Sequence, residues 1–105
     1  MNAIIGIGRN VGNEPMDYER WRNFRISIRS VVERNGGKMI ADVVGQSYSE
    51  GWGFEEAAWF AFDASNLNLG QLRQDLSALA DQYGQDAIAL TVGATDLVER
   101  QRVAA

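Results

Sequence analysis

Two adjacent carboxylates, Glu55 and Glu56, stand where a glycine-rich turn runs into the apolar stretch Ala57-Ala58-Trp59-Phe60-Ala61-Phe62. Charge at the mouth of a buried strand is costly unless it is paired or bound. Brought together, two carboxylates share a proton and one pKa rises, giving a general acid or base without histidine. With Asp86 they also offer oxygen ligands to a hard divalent cation such as magnesium. Successive residues of a strand point to opposite faces, however, so both glutamates enter one pocket only across a bulge. We therefore assign no catalytic residue and no metal ligand, and expect no cofactor.

The rest of the composition narrows the chemistry. The chain has no cysteine and no histidine. Disulfides, thiolate nucleophiles, Cys-based zinc sites and the usual neutral-pH general base are all absent. Ser47, Tyr48 and Ser49 consequently have no histidine to activate them. Gly6-x-Gly8 followed by Arg9-Asn10 lacks the further glycine and the lysine of a phosphate loop. The net charge is −4, from 10 cations and 14 carboxylates, which argues against direct nucleic-acid contact. Half of those 10 cations, Arg20, Arg22, Arg25, Arg29 and Arg34, fall in one segment. Arginine's planar fork suits bidentate contacts, so Arg22, Arg25 and Arg29 form a candidate second contact face. The alternative is a solvated helix face paired with nearby acids.

These groups must be positioned by elements the pattern makes readable. At 105 residues the chain is expected to be one domain, 1–105, with 95–105 as a loosely attached tail. No apolar run approaches the ~20 residues needed to span a bilayer, and the N-terminus lacks a basic lead-in. The expected compartment is the cytoplasm. Ile4, Ile5 and Ile7 predict a first strand over 2–9, and Arg9 to Pro15 a loop. Asp17 caps a helix carrying Trp21, Phe24, Ile28 and Val31, closed by Gly36-Gly37. Lys38 to Val44 alternates as a second strand, with Met39, Ala41 and Val43 on one face. Gly45 to Gly53 reads as a polar loop. Phe54 to Phe62 is the third strand, with Glu56, Ala58, Phe60 and Phe62 on one face and Glu55, Ala57, Trp59 and Ala61 on the other. Asn68 and Gln71 have capping-box spacing before the stripe Leu69, Leu72, Leu76, Leu79 and Tyr83. Gly84 closes that helix, and Ala87 to Val92 is a fourth strand.

The order β-α-β-β-α-β points to an α+β, ferredoxin-like fold, with two helices on one face of a four-stranded antiparallel sheet. Right-handed crossovers give strand order 4-1-3-2. In that topology the end of strand 1 and the starts of strands 3 and 4 share one edge. Three polar junctions scattered in sequence meet there: Arg9-Asn10, Glu55-Glu56 and Gln85-Asp86. They form either a closed network in which Arg9 pairs with a glutamate, a ligand or partner site, or a carboxylate-dependent enzyme or nucleotide-binding module. One glutamate is expected on the helix-covered side, with Arg9 as its partner. Trp59 lies among Gly6, Ala57, Ala61 and Ala89 on the helix-free face, which stacked bases, the C-terminal tail or a second copy of the chain in a homodimer would cover; the acidic balance favours a protein contact.

The segments Trp52-Gly53-Phe54-Glu55-Glu56-Ala57-Ala58-Trp59 and Tyr83-Gly84-Gln85-Asp86-Ala87-Ile88 give the second half of the chain a resemblance. It resembles small uncharacterised bacterial and phage proteins with a Trp-x-x-Glu-Glu strand opening and an aromatic-Gly-Gln junction. The resemblance implies a phage or mobile-element setting and a small acidic protein that binds a host protein or complex. Its concrete form is an anti-defence, anti-CRISPR-like inhibitor.

Overall fold

A computed structural model describes residues 1–50 and 53–94. Gly51 and Trp52 of the strand opening, and the expected tail 95–105, lie outside the described residues. The elements run β1 (Asn2–Gly8), β2 (Asn10–Val11), β3 (Glu14–Pro15), α1 (Tyr18–Arg34), β4 (Lys38–Ser49), β5 (Gly53–Asp63), α2 (Leu69–Gln82) and β6 (Ala89–Gly93). The main sheet is antiparallel in the order β4-β5-β1-β6, and both helices lie on one side of it. This is the expected βαββαβ topology, consistent with a ferredoxin-like fold. The two-residue strands β2 and β3 pair separately within the segment expected to be a loop. No described helix is long and apolar enough to cross a membrane.

The helices start and stop for local reasons. The Asp17 carboxylate accepts from the Arg20 N–H at 2.8 Å, satisfying a donor that the first turn leaves free. Trp21, Phe24, Ile28, Val31 and Val32 form the buried face of α1. Past Asn35 the chain turns at Gly36, whose φ of 91° lies where a side chain is rarely tolerated. The Asn66 carbonyl also occupies the place of a Cβ there. In α2, Asn68 accepts from the Gln71 N–H at 3.1 Å, and Leu72, Leu76 and Leu79 are buried. The two helical faces close over Ala3, Ile5, Ile7, Ala58, Phe60 and Phe62 of the sheet in one apolar core. Phe24 stacks on Tyr83 at 4.6 Å and meets the edge of Trp21 at 6.2 Å.

Two strand expectations need correction. The polar segment after Val44 is not all loop: β4 continues to Ser49, pairing Gln46 with Glu56, Ser47 with Glu55 and Tyr48 with Phe54. Tyr48 and Phe54 meet across the strands at 5.2 Å, and such cross-strand aromatic pairs stabilise a hairpin whose other residues are polar. The face assignment of β4 also breaks at its start. Met39 pairs with Phe62 on the helix side, whereas Ala41 pairs with Ala61 on the open side, with an irregularity at Ile40 between them. In β6 the ladder begins at Ala89, two residues later than expected.

One polar clasp ties the helices together. Asp75 of α2 accepts from Asn35 Nδ2 at 2.8 Å, from Arg34 Nη2 at 2.9 Å and from Gln71 Nε2 at 3.0 Å. Asn35 is buried, and its amide also donates to the Val31 carbonyl at 2.8 Å. The donors on Asp75, Asn35 first and then Arg34 and Gln71, hold its pKa down to about 2 from 3.8. The folded-state pKa is the lower one, so the clasp contributes fully above pH ~4 and is lost as pH falls towards about 2. Thermal unfolding followed through that window is expected to show a steeper loss of Tm for the parent than for Asp75→Asn. Parallel curves would remove Asp75 as the cause.

Candidate functional site

The three polar junctions meet at the end of the sheet where β1 finishes and β5 begins. The Arg9 N–H donates to the Glu56 carbonyl at 2.9 Å, extending the β1–β5 pairing by one residue. The Asn10 N–H donates to Glu55 Oε2 at 3.2 Å, and Gln85 Nε2 donates to the Asn10 carbonyl at 3.0 Å. Residues 9–10, 55–56 and 85 are thereby joined as the topology required. Strand alternation then divides them into two halves with different properties.

The helix-side half is closed. Glu56 Oε2 accepts from Arg9 Nη1 at 2.7 Å, and Glu56 Oε1 accepts from Trp21 Nε1 at 3.3 Å. Arg9 Nε donates to the Met16 carbonyl at 2.8 Å, and the Met16 N–H donates back to the Arg9 carbonyl at 3.0 Å. Both glutamate oxygens and two faces of the guanidinium are thus occupied by the protein. This network anchors the β2–β3 excursion to the buried Trp21 and so fixes the start of α1. Glu56 and Arg9 belong to the scaffold. Pairing of Arg9 with one helix-side glutamate was legible in the sequence, whereas the Trp21 indole and the Met16 carbonyl were not. Nothing in sequence spacing signals that an indole N–H at the core edge will face position 56.

The other half is open. Glu55 lies on the helix-free side, above Gly8 of β1, where a Cβ would overlap its carboxylate. Among the described residues only Oε2 is engaged, by the Asn10 N–H. Beside it an open groove of about 470 Å³ is lined by Asn10, Gly12, Glu55, Gly84, Gln85 and Asp86. Gln85 is held there by its own N–H, which donates to the Ala80 carbonyl at 2.8 Å, after a turn at Gly84 with φ of 67°. The Asp86 carboxylate is exposed and makes no hydrogen bond or ion pair among the described residues. Glu55 and Glu56 are divided as strand alternation requires, and no bulge brings them into one pocket. They face opposite sides of β5, and Glu56 is already paired. Among the described residues, no three carboxylates gather as a metal site.

The remaining candidates lie elsewhere. Arg22, Arg25 and Arg29 line the side of α1 that faces β4. Trp59 sits half-buried on the helix-free face of β5, paired with Val43 and Gly6, and its indole lies over both Gly6 and Gly45. Gly6, Ala61 and Ala89 surround it, as their registers with Trp59 and Ile4 require.

The architecture is thus that of a ferredoxin-like α+β domain with an acidic, acceptor-rich groove at one end of the sheet. No protein-family model matches the chain, and no curated protein matches it. Among solved structures it is similar to a phage SAM lyase in complex with S-methyl-5'-thioadenosine, at 19% identity and a TM-score of 0.48, over 85% of this chain and 76% of that one. It is similar also to a phage SAM lyase in the apo state, at 19% identity and a TM-score of 0.49, over 85% and 75% of the two chains. These neighbours overturn the expectation of an anti-CRISPR-like inhibitor acting through protein contacts: they are an enzyme of a small molecule. At this identity the likeness transfers no activity to this chain.

Proposed function

We propose that this chain binds a small, positively charged, hydroxyl- or amine-bearing molecule in the groove at Glu55. The observation that carries this reading is Glu55 Oε1, free among the described residues, in an open groove it shares with Asp86, which is likewise unpaired among them. Carboxylates only accept hydrogen bonds, so the groove selects donors and cations. The Asn10 and Gln85 amides add orientation, and a volume of about 470 Å³ falls within the usual range for small-molecule sites. Glu55 has a defined place because Gly8 leaves room for it. The site is also preorganised by the closed Arg9–Glu56–Trp21 network beneath it, which costs the ligand nothing on binding. The cysteine-free composition suits a reducing compartment, and the cytoplasm belongs to this reading.

The probes are SAM and S-methyl-5'-thioadenosine, the small molecules in the names of the similar lyase structures. SAM carries a sulfonium charge, an amine and a ribose diol. The thioadenosine keeps the diol and loses the charge. Calorimetric titration at low salt is expected to give saturable binding of SAM, about 10-fold tighter than the uncharged compound. No heat from either, or tighter binding of the neutral one, would contradict the charge argument.

Gly8→Ala offers a test that replaces no ligand-contacting side chain. The new methyl displaces the Glu55 carboxylate, which is the far end of a flexible side chain, so the fold is expected to shift by no more than about 1 kcal/mol. SAM affinity is expected to fall about 10-fold or more. Unchanged affinity would mean that the seat of Glu55 over β1 does not matter to binding.

A further inference from the structure

The opposite side of the sheet edge carries a second groove of opposite charge, between α1 and β4. Tyr18, Arg22, Arg25 and Arg29 are spaced by four, three and four residues, so they form one stripe along α1. That stripe faces the edge strand β4. Val44 pairs with the buried Ala58, which places it on the helix side, yet it remains 47% exposed. The helix therefore does not seal against β4, and about 330 Å³ of open space remains. Val44 and Phe60 contribute an apolar floor.

The cations in this groove are poorly matched. Arg29 makes only loose pairs, at 3.7 Å to Glu33 and 3.5 Å to Asp42, with all three side chains about half exposed. Arg22 and Arg25 make no ion pair among the described residues. The Arg25 guanidinium lies over the Trp21 ring at 5.5 Å, and its Nε is buried without a hydrogen-bond partner among the described residues. A buried donor left unsatisfied is rare and destabilising, and three like charges on one helical stripe repel. An anion seated in the groove removes the repulsion, and the stripe then holds it by charge-assisted hydrogen bonds. Arginine forks also match phosphate oxygens in a way that a solvated charge face does not need.

We infer that the groove between α1 and β4 is a phosphate-binding site for a phosphorylated nucleoside. The phosphate sits against Arg22, Arg25 and Arg29. The exposed Tyr18 ring at the groove mouth stacks on the base, and the apolar floor takes its edge. The site is independent of the acidic groove, which would repel the same ligand.

AMP is the probe, with adenosine and inorganic phosphate as separate arms. The readout is the Trp21 indole N–H resonance, assigned as the one lost in Trp21→Phe, because Arg25 lies directly over that ring. AMP is expected to shift it saturably, with affinity at least 10-fold above that of either adenosine or phosphate. Arg22→Gln, an exposed change, and Arg25→Gln are each expected to weaken AMP at least 10-fold, while Glu55→Gln leaves it unchanged. No saturable shift at about 1 mM AMP, equal binding of AMP and phosphate, or AMP binding unaffected by both arginine substitutions each overturns the inference. Loss of SAM binding in Glu55→Gln with AMP binding intact would leave this site standing, so the two readings fail separately.

Discussion

Trp21→Ala is expected to destabilise the protein by about 3–5 kcal/mol, a large share of the ~5–15 kcal/mol that holds a domain of this size together. Trp21 is fully buried and touches three systems at once. Its ring meets Phe24, its face supports Arg25, and its N–H donates to Glu56. Truncation leaves a cavity and strands one oxygen of a carboxylate that is itself holding Arg9. Trp21→Phe separates the contributions. It keeps most of the ring and removes the N–H, and is expected to lose about 1–2 kcal/mol from one hydrogen bond and a small volume change. Urea unfolding of the three proteins measures both differences. If the phenylalanine variant loses as much as the alanine variant, the hydrogen bond to Glu56 dominates and the packing account of Trp21 is wrong.

The second large effect concerns the two glutamates, which sequence places side by side and the strand separates. Glu55→Gln is expected to weaken SAM about 10–100-fold, the usual cost of removing a charge-assisted hydrogen bond, with Tm nearly unchanged. Glu56→Gln is expected to do the reverse. Its amide keeps an acceptor but loses the charge facing Arg9, in a pair whose side chains are 22% and 38% exposed. Partial exposure limits the loss to about 1 kcal/mol, and ligand affinity should stay within about twofold. Equal effects of the two substitutions on affinity would mean that both carboxylates reach the ligand, against the alternation of β5.

Those two residues also mark how far the sequence could be read. The gathering of Arg9-Asn10, Glu55-Glu56 and Gln85-Asp86 followed from topology, because right-handed crossovers leave few ways to arrange βαββαβ. The division of the glutamates followed from the two-residue period of a strand, and the capping residues Asp17 and Asn68 stand where their side chains find free N–H groups. Other features depend on contacts between distant residues. Gly8 looked like part of an incomplete phosphate loop, whereas its role is to leave space for Glu55, a partner 47 positions away. The extension of β4 to Ser49 rests on the cross-strand meeting of Tyr48 and Phe54, in a segment whose glycine and serine content reads as loop. The arginine stripe was visible. That β4 leaves it uncovered, with Arg25 Nε unpartnered, depends on how high α1 sits above an edge strand.

In the proposed function the acidic groove, rather than the closed network or the open sheet face, takes the ligand. Amide chemical shifts recorded during a SAM titration distinguish the three. The N–H groups of Asn10, Glu55, Gln85 and Asp86 are expected to move together and saturate with one affinity, while those of Gly6 and Trp59 stay still. Saturable shifts centred on Trp59, or none at the Asn10–Gln85 edge, would contradict it.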